Sequence, residues 1–278
     1  MTHRFECPYA AGNVIKIHLK TPDGLEATAD ASILKVFKPS TVPSVMLIRM
    51  TCSSLRLEGD MILKLFDRRF ATQLRADEEI PPWTPEIETA YRQFILDGGA
   101  AEFVTQLKEE EYSDDEDSDD EDSDHEASDD EDRAWSAAMN ETYLHNRMLD
   151  RYKTEVQVYR NRKEIQGTDM PKLRAFAIMP VPFPGQTGSG YTDIPGILLQ
   201  YIDGLPLTGA IGNIVRNGDR RILNEDVKTR CHMVREGRGN GSKVTMIDFV
   251  ICKSRQDYEN DYEWDTWKSY DGEEGAVG

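Results

Sequence analysis

Four short stretches in the first 70 residues place apolar side chains at β spacing. They are VIKIHL (14–19), ILKVF (33–37), VMLIRM (45–50) and MILKLF (61–66), separated by Gly, Pro and Asp turns. The pattern predicts a β-rich N-terminal region. In the fourth stretch Ile62, Lys64 and Phe66 share one face, and Met61, Leu63 and Leu65 share the other. A lysine with apolar neighbours on both faces is unusual. On its own pattern it fits an edge strand whose lysine reaches water.

The period then changes from two to 3.6. Thr84 and Pro85 read as the N-cap and first residue of a helix, Ile87, Tyr91, Phe94 and Ile95 follow at helical spacing, and Gly98 and Gly99 end it. AAEFVTQL (100–107) is a second helical piece. A longer helix is predicted from Asn140 to Gln166, with Leu144, Met148, Tyr152, Val156 and Tyr159 in one stripe and Gly167 at its end. Glu155 lies beside that stripe, between Tyr152 and Tyr159, where an acid needs a cationic partner because burying it alone is costly. RAFAIM (174–179) and GILLQYI (196–202) read as strands, the second of them buried. The Pro/Gly loop between them contains GQTGSG (185–190), read as a turn with no phosphate role.

Charge changes the picture in one place. The formal net charge is −18, but residues 109–132 alone carry 17 acidic side chains and no Lys or Arg. The remaining 34 acidic and 33 basic residues nearly cancel, so the acidity belongs to an insert. That insert repeats SDDED three times, has only Tyr112 as a sizeable apolar residue, and is expected to be disordered. Ser113, Ser118, Ser123 and Ser128 each have an acidic residue three positions on, which suits an acidophilic kinase. The insert reads as a solvated spacer, with recruitment of a basic protein as the alternative. A body without surplus positive charge argues against nucleic acid as partner.

The chain contains no apolar run of about 18 residues and starts without a secretory apolar core, so no membrane association is expected. Cys7, Cys52, Cys231 and Cys252 are scattered, which points to reduced thiols in an intracellular protein, cytoplasmic or nuclear. The five histidines show no ligand spacing, and no zinc site is expected.

Candidate chemistry lies in the order of four charged residues. Lys64 on a strand, Glu155 on a helix, then Asp226 in ILNEDVKTRC (222–231) and Asp248 in KVTMIDFV (243–250) form the sequence that phosphoryl transfer needs: a cation for phosphates, a carboxylate to fix it, a base and a Mg²⁺ ligand. With ILKLFDRRFATQLR (62–75), PWTPEIETAYRQFILDGGAAEF (82–103), YKTEVQVYRNRKEIQG (152–167), IPGILLQYIDGLPLT (194–208) and the tail EWDTWKSYDGEEGAVG (263–278), these stretches give a resemblance. The chain resembles protein-kinase-like proteins, and more closely a fungal kinase-like family. The resemblance implies an α+β fold with a β-rich N-lobe, long helix and hinge over 1–203, interrupted by 109–132, and a truncated C-lobe over 204–278. It implies that Lys64 holds nucleotide phosphates, that Glu155 is its helix partner, and that 196–202 is an adenine-binding hinge. Asp226 falls at the catalytic base, Lys228 at a phosphate-contacting lysine and Asp248 at the Mg²⁺-binding aspartate. ATP and Mg²⁺ are the implied ligands.

The departures weaken the implied activity. Asn224-Glu225-Asp226 replaces His-Arg-Asp, and Cys231 stands where a second oxygen ligand for Mg²⁺ belongs. Val250 replaces the glycine after Asp248-Phe249, and no Gly-x-Gly-x-x-Gly loop joins the early strands. LTGAIGNIVRNGDRRIL (207–223) is too short for a kinase's long helix, and 30 residues follow Asp248, which suggests a shortened gene product or a remnant of the fold. The expected function is a pseudokinase or weak nucleotide-binding module with impaired phosphotransfer. An active ATP-dependent phosphotransferase, on protein or small molecule, ranks second, and an acidic-arm interaction protein third.

Overall fold

The computed structural model describes residues 7–37, 43–114, 135–182, 190–206, 222–224, 232–236, 242–249 and 252–254. Six strands dominate: β1 (Val14–Lys20), β2 (Glu26–Val36), β3 (Ser44–Cys52), β4 (Leu57–Leu65), β5 (Leu173–Met179) and β6 (Ile194–Gln200). Each pairs antiparallel with its neighbours in a closed barrel of order β1-β2-β3-β4-β6-β5. Closure is made by β1 and β5, where His18, Leu19 and Lys20 pair with Ile178, Ala177 and Phe176. Alternate residues point inward, so Ile17, Leu19, Ile33, Met46, Ile48, Leu63, Leu65, Ala175 and Ala177 fill the interior.

This closure corrects the protein-kinase-like architecture expected from the sequence. A β-rich lobe with a free edge, joined by a hinge to a truncated second lobe, does not describe a sheet that returns on itself. Of the stretch expected as a hinge, 196–202, residues 196–200 instead belong to β6, which is hydrogen-bonded on both sides to β4 and β5. Period-two alternation marks a half-buried strand but does not say which strands pair, and an open sheet and a barrel share it. β4 likewise has a partner along each edge, and Lys64 is 4% exposed, so it is not an edge-strand lysine reaching water.

Helices α1 (Thr72–Asp77), α2 (Pro85–Leu96), α3 (Gly99–Asp114) and α4 (Ala137–Asn161) lie outside the barrel. The Thr84 hydroxyl accepts from the Ile87 N–H at the start of α2. Ser136 caps α4 in the same way, which starts it three residues before the predicted Asn140. Gly167, at φ 81°, closes the turn that follows rather than the helix itself. α3 carries the first acidic positions, 109–114, in helical form, and residues 115–132 of the insert lie outside the described residues, as do 183–189 of the Gly-rich loop. After Asp203 come β7 (Leu205–Pro206), β8 (Ile222–Asn224), β9 (His232–Glu236), β10 (Ser242–Met246) and β11 (Cys252–Ser254). They pair as β10-β9-β7 and β11-β8. Among the described residues no helix is long and apolar enough to cross a membrane, and Cys7 and Cys52 are free thiols.

The buried stripe of α4 meets two surfaces. Leu144 and Met148 pack with Phe66, Ala71 and Leu74, while Val156 and Tyr159 pack with Ile197, Leu199 and Phe249. Between these helices and the barrel lies a buried ionic network. The Arg68 guanidinium donates to Glu141 and, at 2.7 Å, to Glu88, and stacks over Tyr91 at 4.0 Å. Arg75 donates to both Glu141 oxygens at 2.7 and 2.9 Å and to the carbonyls of Arg68 and Pro81. Trp83 Nε1 and Arg92 complete the shell of Glu88.

Two groups here make stability pH-dependent. Burial alone would raise Glu88, but Arg68, Trp83 and Arg92 hold it down to about 2 from 4.5. Burial, then the nearby Arg68, presses His145 down to about 4 from 6.5, while its Nε2–H donates to the Gly190 carbonyl. Both folded values lie below the unfolded ones. Their contribution is therefore intact above the unfolded value and lost as acid titrates the folded group. Urea unfolding should show a His145 contribution to stability that is lost from pH 6.5 to 4 and a Glu88 contribution that is lost from 4.5 to 2. His145→Gln should flatten the upper part of that profile. A stability difference between the unaltered protein and His145→Gln that stays level between 6.5 and 4 would contradict the buried, neutral imidazole.

Candidate functional site

The site is built where β4, β6 and α4 meet the segment following β10. Lys64 sits on the outer face of β4, between Val45 of β3 and Ile197 of β6 in the ladder. Gly196 next to it is required by close packing: a Cβ there would stand 2.5 Å from the Lys64 carbonyl and 2.7 Å from Leu65. Glu155, fully buried on α4, faces the strand because it shares the helix face of Tyr152 and Tyr159. Asp248 is set by anchors on either side. The Met246 N–H donates to the Asp169 carbonyl at 2.9 Å, and the buried Phe249 ring packs edge-on against Tyr159 at 5.6 Å.

Three acceptors converge on the Lys64 ammonium. Glu155 Oε1 lies at 2.6 Å, the Ile247 carbonyl at 3.0 Å and Asp248 Oδ1 at 3.5 Å. An ammonium has three N–H donors, so this shell matches its capacity. The Lys64 and Glu155 side chains are 5% and 0% exposed, whereas that of Asp248 is 30% exposed. Asp248 is thus the member that meets solvent.

One positive and two negative groups share this space. Burial by itself would push the Lys64 ammonium down, but Glu155 and Asp248 more than offset it and hold it above its usual value. Burial pushes Glu155 up, Lys64 pulls it back and Asp248 adds to the rise, leaving it near 7. These two directions pull against each other, since a firmly charged ammonium favours a charged carboxylate. The 2.6 Å contact decides for an ion pair held against burial. Tyr159, fully buried, is raised by burial first and then by Glu155 and Asp248. Among the described residues Glu155 Oε2, Tyr159 Oη and Thr245 Oγ1 are buried without a hydrogen-bond partner. Buried polar atoms are normally paired, so each such atom is an unfilled bonding position.

Of the residues singled out from sequence, the structure brings Lys64, Glu155 and Asp248 together. Asn224 ends β8, paired with Cys252. Asp226, Lys228, Cys231 and Val250 lie outside the described residues. Sequence reasoning missed the Ile247 carbonyl, which has no side-chain signature, and the hydroxyls of Tyr159 and Thr245. Tyr159 was legible as a stripe residue, and its place four positions after Glu155 was the available signal. Comparison with protein families, with curated proteins and with solved structures finds no match to this chain.

Proposed function

We propose that the protein is a nucleotide-binding module with impaired phosphoryl transfer, centred on Lys64, Glu155 and Asp248. The observation that carries this reading is a buried lysine fixed at 2.6 Å by a buried glutamate, beside an aspartate open to solvent. A lysine oriented in this way is a point charge for phosphate oxygens, and the partner carboxylate keeps it ionised despite burial.

The charge balance favours a metal-assisted mode. Two carboxylates against one ammonium leave surplus negative charge, which repels a bare phosphate. Mg²⁺ reverses that sign and is ordinarily held by one or two carboxylates together with substrate phosphates. Asp248 fits as the one carboxylate. No group of three His, Cys, Asp or Glu side chains comes together among the described residues, so a cage made by protein alone is not supported there. Impaired transfer rests on the sequence: Cys231 is a poor ligand for a hard cation, and Asn224 stands before Asp226 in place of a histidine two residues ahead of the base.

Thermal-shift titration with ATP, with and without Mg²⁺, tests this reading. Mg·ATP should stabilise the protein by about 2.7 kcal/mol at roughly 100 times Kd, rising further with the logarithm of ligand concentration, and Asp248→Ala should remove the effect. Absence of any shift at millimolar Mg·ATP ends the nucleotide reading. Transfer of labelled phosphate that is lost in Asp226→Ala would replace impaired transfer with an active phosphotransferase.

A further inference from the structure

We propose that the end of the barrel holds a second ligand site, one for a small phosphate monoester, separate from the Lys64 cluster. A cavity of about 320 Å³ lies where β4 begins and β6 ends, lined by Arg56, Glu58, Met61, Arg174, Gln200 and Tyr201. Barrel mouths are a recurrent place for small-molecule sites, and this volume is at the small end of their range.

Both arginines are delivered by irregular backbone. Arg56 adopts φ 54°, a left-handed conformation that a residue with a Cβ rarely takes. Arg174 is the extra residue of a β-bulge: Leu173 pairs with Leu199 and Ala175 with the adjoining Leu198. A bulge re-aims the side chain it carries, and this one lies at the barrel rim. Two independent departures from regular geometry therefore place an arginine on the lining of the same cavity. Strained or bulged residues persist where the surrounding structure holds them, and binding sites are where they cluster.

The charges are unspent. Asp60, also on the lining, is taken by Arg49 through contacts of 2.6 and 3.0 Å. Among the described residues neither Arg56 nor Arg174 makes an ion pair, so the lining carries two exposed, unpaired arginines and a single uncommitted carboxylate, Glu58. One guanidinium fork saturates a carboxylate, whereas a phosphate monoester offers three oxygens and accommodates two. Gln200 accepts from the Lys172 N–H with its side-chain oxygen, which leaves the amide nitrogen as a donor. Glu58 is suited to accept from a hydroxyl on the ligand. The volume suits a fragment of triose-phosphate size and leaves no room for a nucleotide triphosphate.

Calorimetric titration of the full chain with glycerol phosphate, with succinate as the dicarboxylate comparison, tests the assignment. Glycerol phosphate should bind saturably, and Arg174→Gln should weaken it roughly 10-fold or more. Arg56→Gly should weaken it comparably, and because glycine accepts positive φ this variant keeps the fold. Asp248→Ala, which addresses the other cluster, should leave the affinity unchanged. No saturation by about 10 mM, an affinity in either arginine variant equal to that of the unaltered protein, or succinate binding as tightly as the phosphate would overturn the proposal.

Discussion

Glu141→Ala should be among the most damaging single substitutions at the described residues. Glu141 is 1% exposed and is the shared acceptor of Arg68 and Arg75, whose side chains are 7% and 4% exposed. Removing it leaves two guanidiniums buried with one fewer carboxylate, and Arg75 keeps only main-chain carbonyls. Breaking a buried pair by deleting one partner typically costs about 3–5 kcal/mol, because the remaining charge stays in low dielectric. That is a large part of the stability of an ordinary domain, so the midpoint of urea unfolding should drop steeply or the cooperative transition should vanish. Glu141→Gln should be milder, since the amide oxygen still accepts from one arginine. Asp60→Ala, which removes the exposed Arg49 partner, should leave the midpoint nearly unmoved. A Glu141→Ala midpoint as high as that of Asp60→Ala would show that the network contributes nothing to the fold.

Lys64→Met should come second, with a signature in pH. Methionine keeps much of the lysine's volume but strands Glu155, fully buried and with Oε2 already lacking a donor. The expected loss near neutral pH is again about 3–5 kcal/mol. Burial already lifts Glu155 from 4.5 to about 7, and without Lys64 the lift increases. A folded pKa above the unfolded one gives stability that is complete below the unfolded value and lost as pH rises through the folded one. The deficit of Lys64→Met relative to the unaltered protein should therefore shrink as pH is lowered towards 4.5. Adding Glu155→Leu should restore much of the stability at neutral pH, since an apolar pair can replace a buried ionic one. A deficit that is constant with pH and unrelieved by the second change would mean that Lys64 acts through packing alone.

Local elements were readable from the chain to the extent that side-chain chemistry announces them. Thr84 and Pro85 located the start of α2, and the stripe from Leu144 to Tyr159 located α4. The first half of β2 was missed because EATADAS has little hydrophobicity, although Ala27, Ala29 and Ala31 alternate with Thr28, Asp30 and Ser32 as a strand should. Small inward residues are what a closed barrel accommodates, so the signal was present but weak. Closure itself was not readable. It depends on residues 18–20 finding 176–178, and nothing in either stretch names the other. The resemblance supplied an open-lobed architecture, and the pairing of β1 with β5 replaces it.

The candidate site was legible where burial conflicts with charge. Lys64 among apolar neighbours and Glu155 beside an apolar stripe each demanded a partner, and they are each other's. Arg68, Arg75 and Glu141 carried no such flag, because isolated charges at those positions read as surface residues.

A strand tied along both edges cannot slide. Moving β4 by one residue would turn Lys64 into the barrel lumen and Leu63 or Leu65 out against α4, breaking two ladders at once. The ammonium is thus a fixed post. On the proposed nucleotide reading, the part of its shell that belongs to neither sheet nor helix is the short run Ile247–Asp248, held between tethers at Met246 and Phe249. Admission would then be gated by that run, and loosening Phe249 should quicken exchange without moving the post.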